Sequence, residues 1–215
     1  MKRGISKVVA GFAGIALALV FAGTVFAQAL SSVVYDSTMT FAGMPPIQST
    51  TYLKDKKFRF EMNMPNQKMV YIFDGNNAYM VIPNLGTAMK MPAEKIKEQM
   101  AESHDTTDYR NIPGIKKVGD ETIDGVSCEV FTYVRSEANA KIWVSRDIDF
   151  PIKSEVQTKD GTVITQNRNI RKNASINDGL FQLPAGVQLM EMPDMGNAVS
   201  GGGMDISGLL NKAKE

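Results

Sequence analysis

The chain has 215 residues, with 24 Lys+Arg against 23 Asp+Glu, one Cys, one His and 14 Met. A single Cys excludes an internal disulfide or a thiolate cluster, a single His excludes a multi-His zinc centre, and a net charge of +1 gives no electrostatic reason to expect nucleic acid. At about 100–200 residues per domain the length fits one domain with tails, and the methionine excess is the oddity of the composition.

Lys2, Arg3 and Lys7 precede an uncharged apolar run from Val8 to Phe26, and Val25-Phe26-Ala27 supplies a cleavage site before Gln28. This is the layout of a cleaved Sec-type signal peptide over residues 1–27. The run also approaches the ~20 residues of a membrane span, but Gly11, Gly14 and Gly23 weaken it as a stable helix. No Cys lies near the cleavage site to be acylated, so the expectation is a soluble periplasmic protein. The leader carries three cations and no acid, so its removal leaves a mildly acidic chain.

The rest reads mainly as β-structure. Tyr35, Ser37, Met39 and Phe41 form a weak alternating stripe, broken at Gly43-Met44-Pro45-Pro46 because proline cannot donate to a ladder. A short strand over 49–53 leads through Lys54-Asp55-Lys56 into the clearest strand, 57–64. There Phe58, Phe60, Met62 and Met64 alternate with Lys57, Arg59, Glu61 and Asn63, one set apolar and the other solvated. Residues 69–73 and 78–82 flank Asp74-Gly75-Asn76-Asn77 as a hairpin. Pro83-Asn84-Leu85-Gly86 turns again into a strand over 87–91. Pro92 then opens the one predicted helix, since proline suits the first turn and residues 93–100 favour helix.

The second half resumes the β pattern. Strands are expected over 117–123, 127–135 and 140–146, the first two joined by a tight Asp124-Gly125 turn. Residues 147–151 read as a connection, followed by strands over 152–159 and 162–172 about Asp160-Gly161. Such spacing predicts an antiparallel meander, as an open sheet or partial barrel. Residues 177–181 read as a turn, 183–187 as a terminal extended segment. From Met190 the Met-, Pro- and Gly-rich sequence reads as a flexible tail with a possible short helix over 205–214.

Catalytic motifs are absent. There is no Gly-x-Ser-x-Gly elbow, His-Glu-x-x-His or Walker loop. Cys128 sits in an alternating strand and reads as a buried, inert thiol. His104 reads as an exposed helix residue. Asp120, Glu121, Asp124, Asp147 and Asp149 flank turns, where turn chemistry and solubility explain them without a hard cation. No catalytic residue, cofactor or metal ligand is assigned, and an enzyme is not expected.

Met62-x-Met64, Met89-x-Met91 and Met190-x-Met192 form Met-x-Met pairs. On a strand that spacing puts two thioethers on one face, a soft donor set suited to Cu(I). The competing reading is an adaptable apolar surface, for which flexible, polarisable Met is suited. Met62 and Met64 continue the Phe58/Phe60 stripe, which favours the apolar surface.

Tyr71-Ile72-Phe73-Asp74-Gly75-Asn76-Asn77-Ala78-Tyr79 resembles a hairpin of the LolA-like outer-membrane lipoprotein-sorting superfamily. Residues 119–131, Ala140-Lys141-Ile142-Trp143-Val144-Ser145 and Phe150-Pro151-Ile152-Lys153-Ser154-Glu155 resemble its second-half strands. Leu180-Phe181-Gln182-Leu183-Pro184-Ala185-Gly186 is similar to its closing segment. The likeness spans about Ser31 to Glu191. The Arg that the lipoprotein carriers place on an early lid helix has no counterpart between Gln28 and Lys57, so the chain resembles the uncharacterised branch of the superfamily.

The resemblance implies a mainly β (α+β) fold: a curved antiparallel, incompletely closed β-barrel over 28–191, with helical lid segments. It implies a non-enzymatic carrier or binding protein whose apolar cavity takes a lipid, an acyl chain or a lipoprotein. The residues expected to line that cavity are Phe58, Phe60, Met62, Met69, Tyr71, Phe73, Tyr79 and Met89; a one-residue slip of register would invert these faces. Two rival readings are a periplasmic copper-binding protein using the Met-x-Met pairs, and an envelope-stress or protein-partner module that presents the same sheet to an envelope or membrane partner.

Overall fold

The computed structural model describes residues 31–64, 67–94, 96, 110, 114–135, 138–158 and 161–191. The predicted leader, His104 and the tail beyond Glu191 lie outside the described residues. So does the predicted helix, apart from the helical residues Glu94 and Ile96.

The chain forms β1 (Ser32–Phe41), β2 (Ile47–Lys54), β3 (Lys57–Met64), β4 (Gln67–Phe73), β5 (Ala78–Ile82) and β6 (Thr87–Met91). After the helical start come β7 (Lys116–Ile123), β8 (Val126–Arg135), β9 (Ala138–Ser145), β10 (Phe150–Thr158), β11 (Gly161–Lys172) and β12 (Gln188–Glu191). They make one 12-stranded sheet in the order β12-β6-β5-β4-β3-β2-β1-β11-β10-β9-β8-β7. Two meanders, β1–β6 and β7–β11, are joined where β1 pairs with β11. All pairs are antiparallel except β12 with β6. The edge strands β7 and β12 do not pair, so the sheet is open.

Local chemistry explains the hairpins. Asp74 Oδ1 accepts from the backbone N–H of Asn76 and Asn77, both at 2.7 Å, and so closes the β4–β5 turn. Asp124 and Gly125 take positive φ, 49° and 81°. A two-residue hairpin turn with both φ positive matches the right-handed twist of its strands. Bulges interrupt the ladders between Val34 and Asp36, between Pro151 and Lys153, and between Lys117 and Gly119. Each bends its strand and increases the local twist, and a twisted sheet wider than about ten strands tends to curl.

The structure differs from the sequence expectations in three places. Phe150 and Pro151 begin β10 instead of belonging to a connection; proline is accommodated there because a bulge releases its ladder position. Residues 178–181 form a 3-10 helix capped by Asn177, whose side chain accepts from the Gly179 N–H. Gln188–Glu191 is a strand, so Met190 and Glu191, where the sequence predicts the flexible tail to begin, still belong to the sheet.

Two faces emerge from the register. The inner face carries Val33, Tyr35, Met39, Ile47, Leu53, Phe58, Phe60 and Met62 of β1–β3 in one buried cluster with residues of β4–β6, Ile96 and Phe150. The outer face of β4–β6 carries Val70, Ile72, Val81 and Ala88 beneath Leu183 and Val187. Val34 packs with Ile176 and Phe181 on the same side. The segment after β11 therefore covers the outer face of the first meander.

β6 lies beside one edge strand of the sheet and β7 is the other edge strand. After β6, Ile96 lies in the inner cluster. Before β7, Ile115 packs against Phe131, Ile142 and Val144. Those residues are also inner: the register runs from Met39 to Thr165, Ser154, Ile142 and Phe131. Ile96 and Ile115 thus sit over the same face, while the helical lids implied by the resemblance lie outside the described residues.

Candidate functional site

The inner face is built as rows of directly opposed residues. Leu53, Phe58, Phe73, Ala78 and Met91 make one row across β2 to β6. Thr51, Phe60, Tyr71, Met80 and Met89 make the next, and parallel β12 extends it with Met190. Ser49, Met62 and Met69 make a third. Directly opposed side chains lie about 4.5–5.5 Å apart and form the unit of sheet packing. Phe58 and Phe73 have ring centroids 5.9 Å apart, Phe60 and Tyr71 6.3 Å.

These rows locate the methionine excess. Met39, Met62, Met69, Met80 and Met89 are buried in the inner cluster, and Met64, Met91 and Met190 pack against it. Two of the Met-x-Met pairs, Met62/Met64 and Met89/Met91, are therefore continuous with aromatic carbon. The third reaches the face through Met190, while Met192 lies outside the described residues. A thioether-rich apolar surface can repack around ligands of different shape.

Seven of the eight residues expected to line a cavity lie together here: Phe58, Phe60, Met62, Met69, Tyr71, Phe73 and Met89. Tyr79 does not. It opposes Ile72 and packs on the outer cluster with Val70, Val81 and Leu183. The Asp74 turn fixes Phe73 opposite Ala78, so Ala78, Met80 and Ile82 face inward and Tyr79 outward. Alternation within 78–82 carried that signal, but the aromatic ring drew the assignment to the wrong parity. Ile47, Leu53, Met80, Ile82 and Phe150 belong to the same inner cluster without a sequence assignment to it, and Tyr35 and Met39 join it from the weak β1 stripe.

Burial dominates the electrostatics of this face. It pushes the Tyr35 phenol up to about 12, against an opposing hydrogen bond with Thr51. Burial also pushes Tyr71 up to about 12. On the outer side of β3, burial disfavours the Glu61 carboxylate, but hydrogen bonds from Lys68 and Arg59, both at 2.6 Å, outweigh it and hold the carboxyl below its ordinary range.

Cys128 and four of the five acids weighed for other chemistry are accounted for by burial or pairing. The Cys128 thiol is buried and pushed up by burial, and its Sγ donates to the Val126 carbonyl at 3.4 Å. Asp120 pairs with Lys117 and Arg146, Glu121 with Lys141, Asp124 with Arg168, and Asp149 with Arg110. Among the described residues no group of three or more His, Cys, Asp or Glu is placed to hold a metal ion. No helix among them is long and apolar enough to cross a membrane.

The family DUF4412, described as a domain of unknown function, matches residues 37–150. No curated protein matches the sequence. Among solved structures, an uncharacterised conserved protein from Thermus thermophilus has a TM-score of 0.56 at 7% identity, over 84% of this chain and 99% of that one. That likeness is one of fold. The lipoprotein LppX from Mycobacterium tuberculosis has a TM-score of 0.48 at 14% identity, over 76% of this chain and 98% of its own. LprF from Mycobacterium bovis has 0.42 at 12% identity, over 76% and 95%.

Proposed function

We propose that this chain, which belongs to the DUF4412 family, is a non-enzymatic periplasmic binding protein or carrier for a lipid, an acyl chain or a lipoprotein. The observation that supports the reading is the inner face. Phe58, Phe60, Met62, Met69, Tyr71, Phe73 and Met89 form one continuous aromatic and thioether surface on adjacent strands. A site lined by apolar side chains with few polar groups suits an apolar ligand. The likeness of the Tyr71–Tyr79 hairpin and the 180–186 segment to the LolA-like superfamily points the same way. The basic, then apolar leader supports export.

Native mass spectrometry and lipid extraction of the mature protein test this. A co-purifying acyl species is the expected result. Its absence, together with tight Cu(I) uptake that a Met62→Leu/Met64→Leu variant loses, would replace the reading with the soft-metal one. Absence of both would leave the protein-partner reading.

A further inference from the structure

We propose that a polar island within the inner face is the recognition point for the neutral, oxygen-bearing end, an ester or amide, of the apolar ligand. The inference rests on the reading that this face binds such a ligand, and it narrows the ligand from hydrocarbon to an amphiphile.

The island crosses β2, β1, β11 and β10. Ser49 opposes Ser37, Ser37 opposes Asn167, and Thr165 opposes both Met39 and Ser154. All lie on the inner face, because Ser49 also opposes Met62. On one side of the island lie Phe60, Met62 and the other β3–β6 residues of the large cluster. On the other lie Phe131, Ile142 and Val144. The polar residues therefore separate two apolar patches of one continuous sheet face.

Part of the island satisfies itself. Ser37 Oγ donates to Asn167 Oδ1 at 2.7 Å, and Asn167 Nδ2 donates to the Pro151 carbonyl at 3.0 Å. Two further hydroxyls are not satisfied. Ser49 Oγ and Thr165 Oγ1 are buried without a hydrogen-bond partner, and Ser49 is only 2% exposed. Among the described residues one other buried side-chain atom is in this state, Gln67 Nε2. Gln67 opposes Met64, which packs on the inner cluster, so all three orphans belong to the inner face.

Buried polar groups are almost always paired in native proteins, and an orphan calls for a partner. Leaving a hydroxyl buried and unpaired destabilises the fold, so these hydroxyls gain nothing from the protein itself. Ser49 and Thr165 stand on either side of β1, on strands about 9.6 Å apart at the usual spacing, so each O–H would meet an oxygen of its own on the ligand's polar end. A carbonyl oxygen accepts such donors. Ser37, Ser49, Ser154, Thr165 and Asn167 carry no charge, which favours a neutral carbonyl over a carboxylate. Chains running from that polar end would lie on the two flanking apolar patches.

The test uses the mature full chain and two probes of equal chain length, monolaurin (a neutral ester) and dodecane. Wild type should bind monolaurin more tightly. A Ser49→Ala/Thr165→Val variant should lose about tenfold or more in monolaurin affinity, as expected for lost hydrogen bonds, with dodecane unchanged. Its ligand-free melting temperature should rise, because two unpaired hydroxyls are gone, and Ser49→Thr should retain monolaurin binding. Equal affinity of wild type for both probes would overturn the island's role while leaving the carrier reading intact. Unchanged monolaurin binding in the double variant would do the same, as would equal loss of both probes with a lowered melting temperature. Failure of wild type to bind either probe would overturn both.

Discussion

Tyr35 and Phe150 meet edge to face with ring centroids 5.2 Å apart, although β11 runs between their strands. Strands two apart in a sheet are about 9.6 Å from each other at the usual spacing, so the two rings lean together across β11. That strand is the seam between the meanders, paired with β1 on one side and β10 on the other. The contact thus couples the two halves of the fold.

Phe150→Ala should therefore destabilise the whole sheet. Phe150 is fully buried, and removing a buried Phe costs about 3–5 kcal/mol. Urea unfolding should remain a single transition at lower midpoint. A separate early transition of one half would show that the seam does not couple them.

Alkaline pH should weaken the fold through Tyr35 and Tyr71. Both phenols are pushed up to about 12 from 10.0 by burial. A folded pKa above the unfolded one means that the folded state keeps protons the unfolded chain gives up. The stabilisation is complete below pH 10 and is lost as pH rises toward 12. Denaturant midpoints across this window should fall less in Tyr35→Phe and Tyr71→Phe than in wild type. An unchanged slope in both variants would assign the loss to other groups.

Acid pH acts through Glu61 in the opposite sense. Burial opposes its ionisation, but Lys68 and Arg59 hold the carboxyl below the ordinary 4.5. A depressed pKa contributes stability above the unfolded value, and that contribution disappears as pH falls through the folded value. Glu61→Gln should therefore lower the melting temperature at pH 7 and converge with wild type once wild-type Glu61 is protonated. A constant difference at all pH values would mean that packing, not charge, carries the effect.

How much of this was legible in the sequence depended on whether the cause was local. The bounds of β3, β5 and β6 follow from alternation and from the Asp74 and Gly86 turns, all short-range. β12 pairs in parallel with β6 across about a hundred residues, and no local pattern announces such a partner. Ser49 and Thr165 alternate with other polar residues such as Thr50 and Gln166, so period-two reasoning could not assign them to the interior, whereas Ser37 already shares the Tyr35/Met39 stripe. Phe150 and Pro151 read as a break because proline usually ends a strand, and only the bulge reverses that.

Trp143, the single tryptophan, should report on the outer face of the second half. Lys141 and Lys153 place Nζ 4.5 and 4.4 Å from its ring, and the indole N–H donates to Glu121 Oε2 at 2.7 Å. A cation over an aromatic face contributes about 0.5–1 kcal/mol at a partly exposed site. Lys141→Met and Lys153→Met should each lower stability by about that amount, read from the fluorescence-detected urea midpoint. No loss in either variant would show that the stacked ammonium groups contribute nothing measurable.

Tyr71 and Tyr79 stand on opposite sides of the same hairpin, and this separates function from stability. Tyr71 opposes Phe60 and Met80 on the inner face, whereas Tyr79 opposes Ile72 and packs with Leu183 and Val187. Tyr79→Ala should lower the melting temperature by loosening the 183–187 segment from the sheet, yet leave binding of a fluorescent acyl probe intact. Met80→Ala, which truncates a buried side chain on the inner side, should lower stability and also weaken the probe, because it removes flexible apolar surface from the row Thr51-Phe60-Tyr71-Met80-Met89. If Tyr79→Ala weakened the probe and Met80→Ala did not, the ligand would belong to the outer face, and the inner rows would be core.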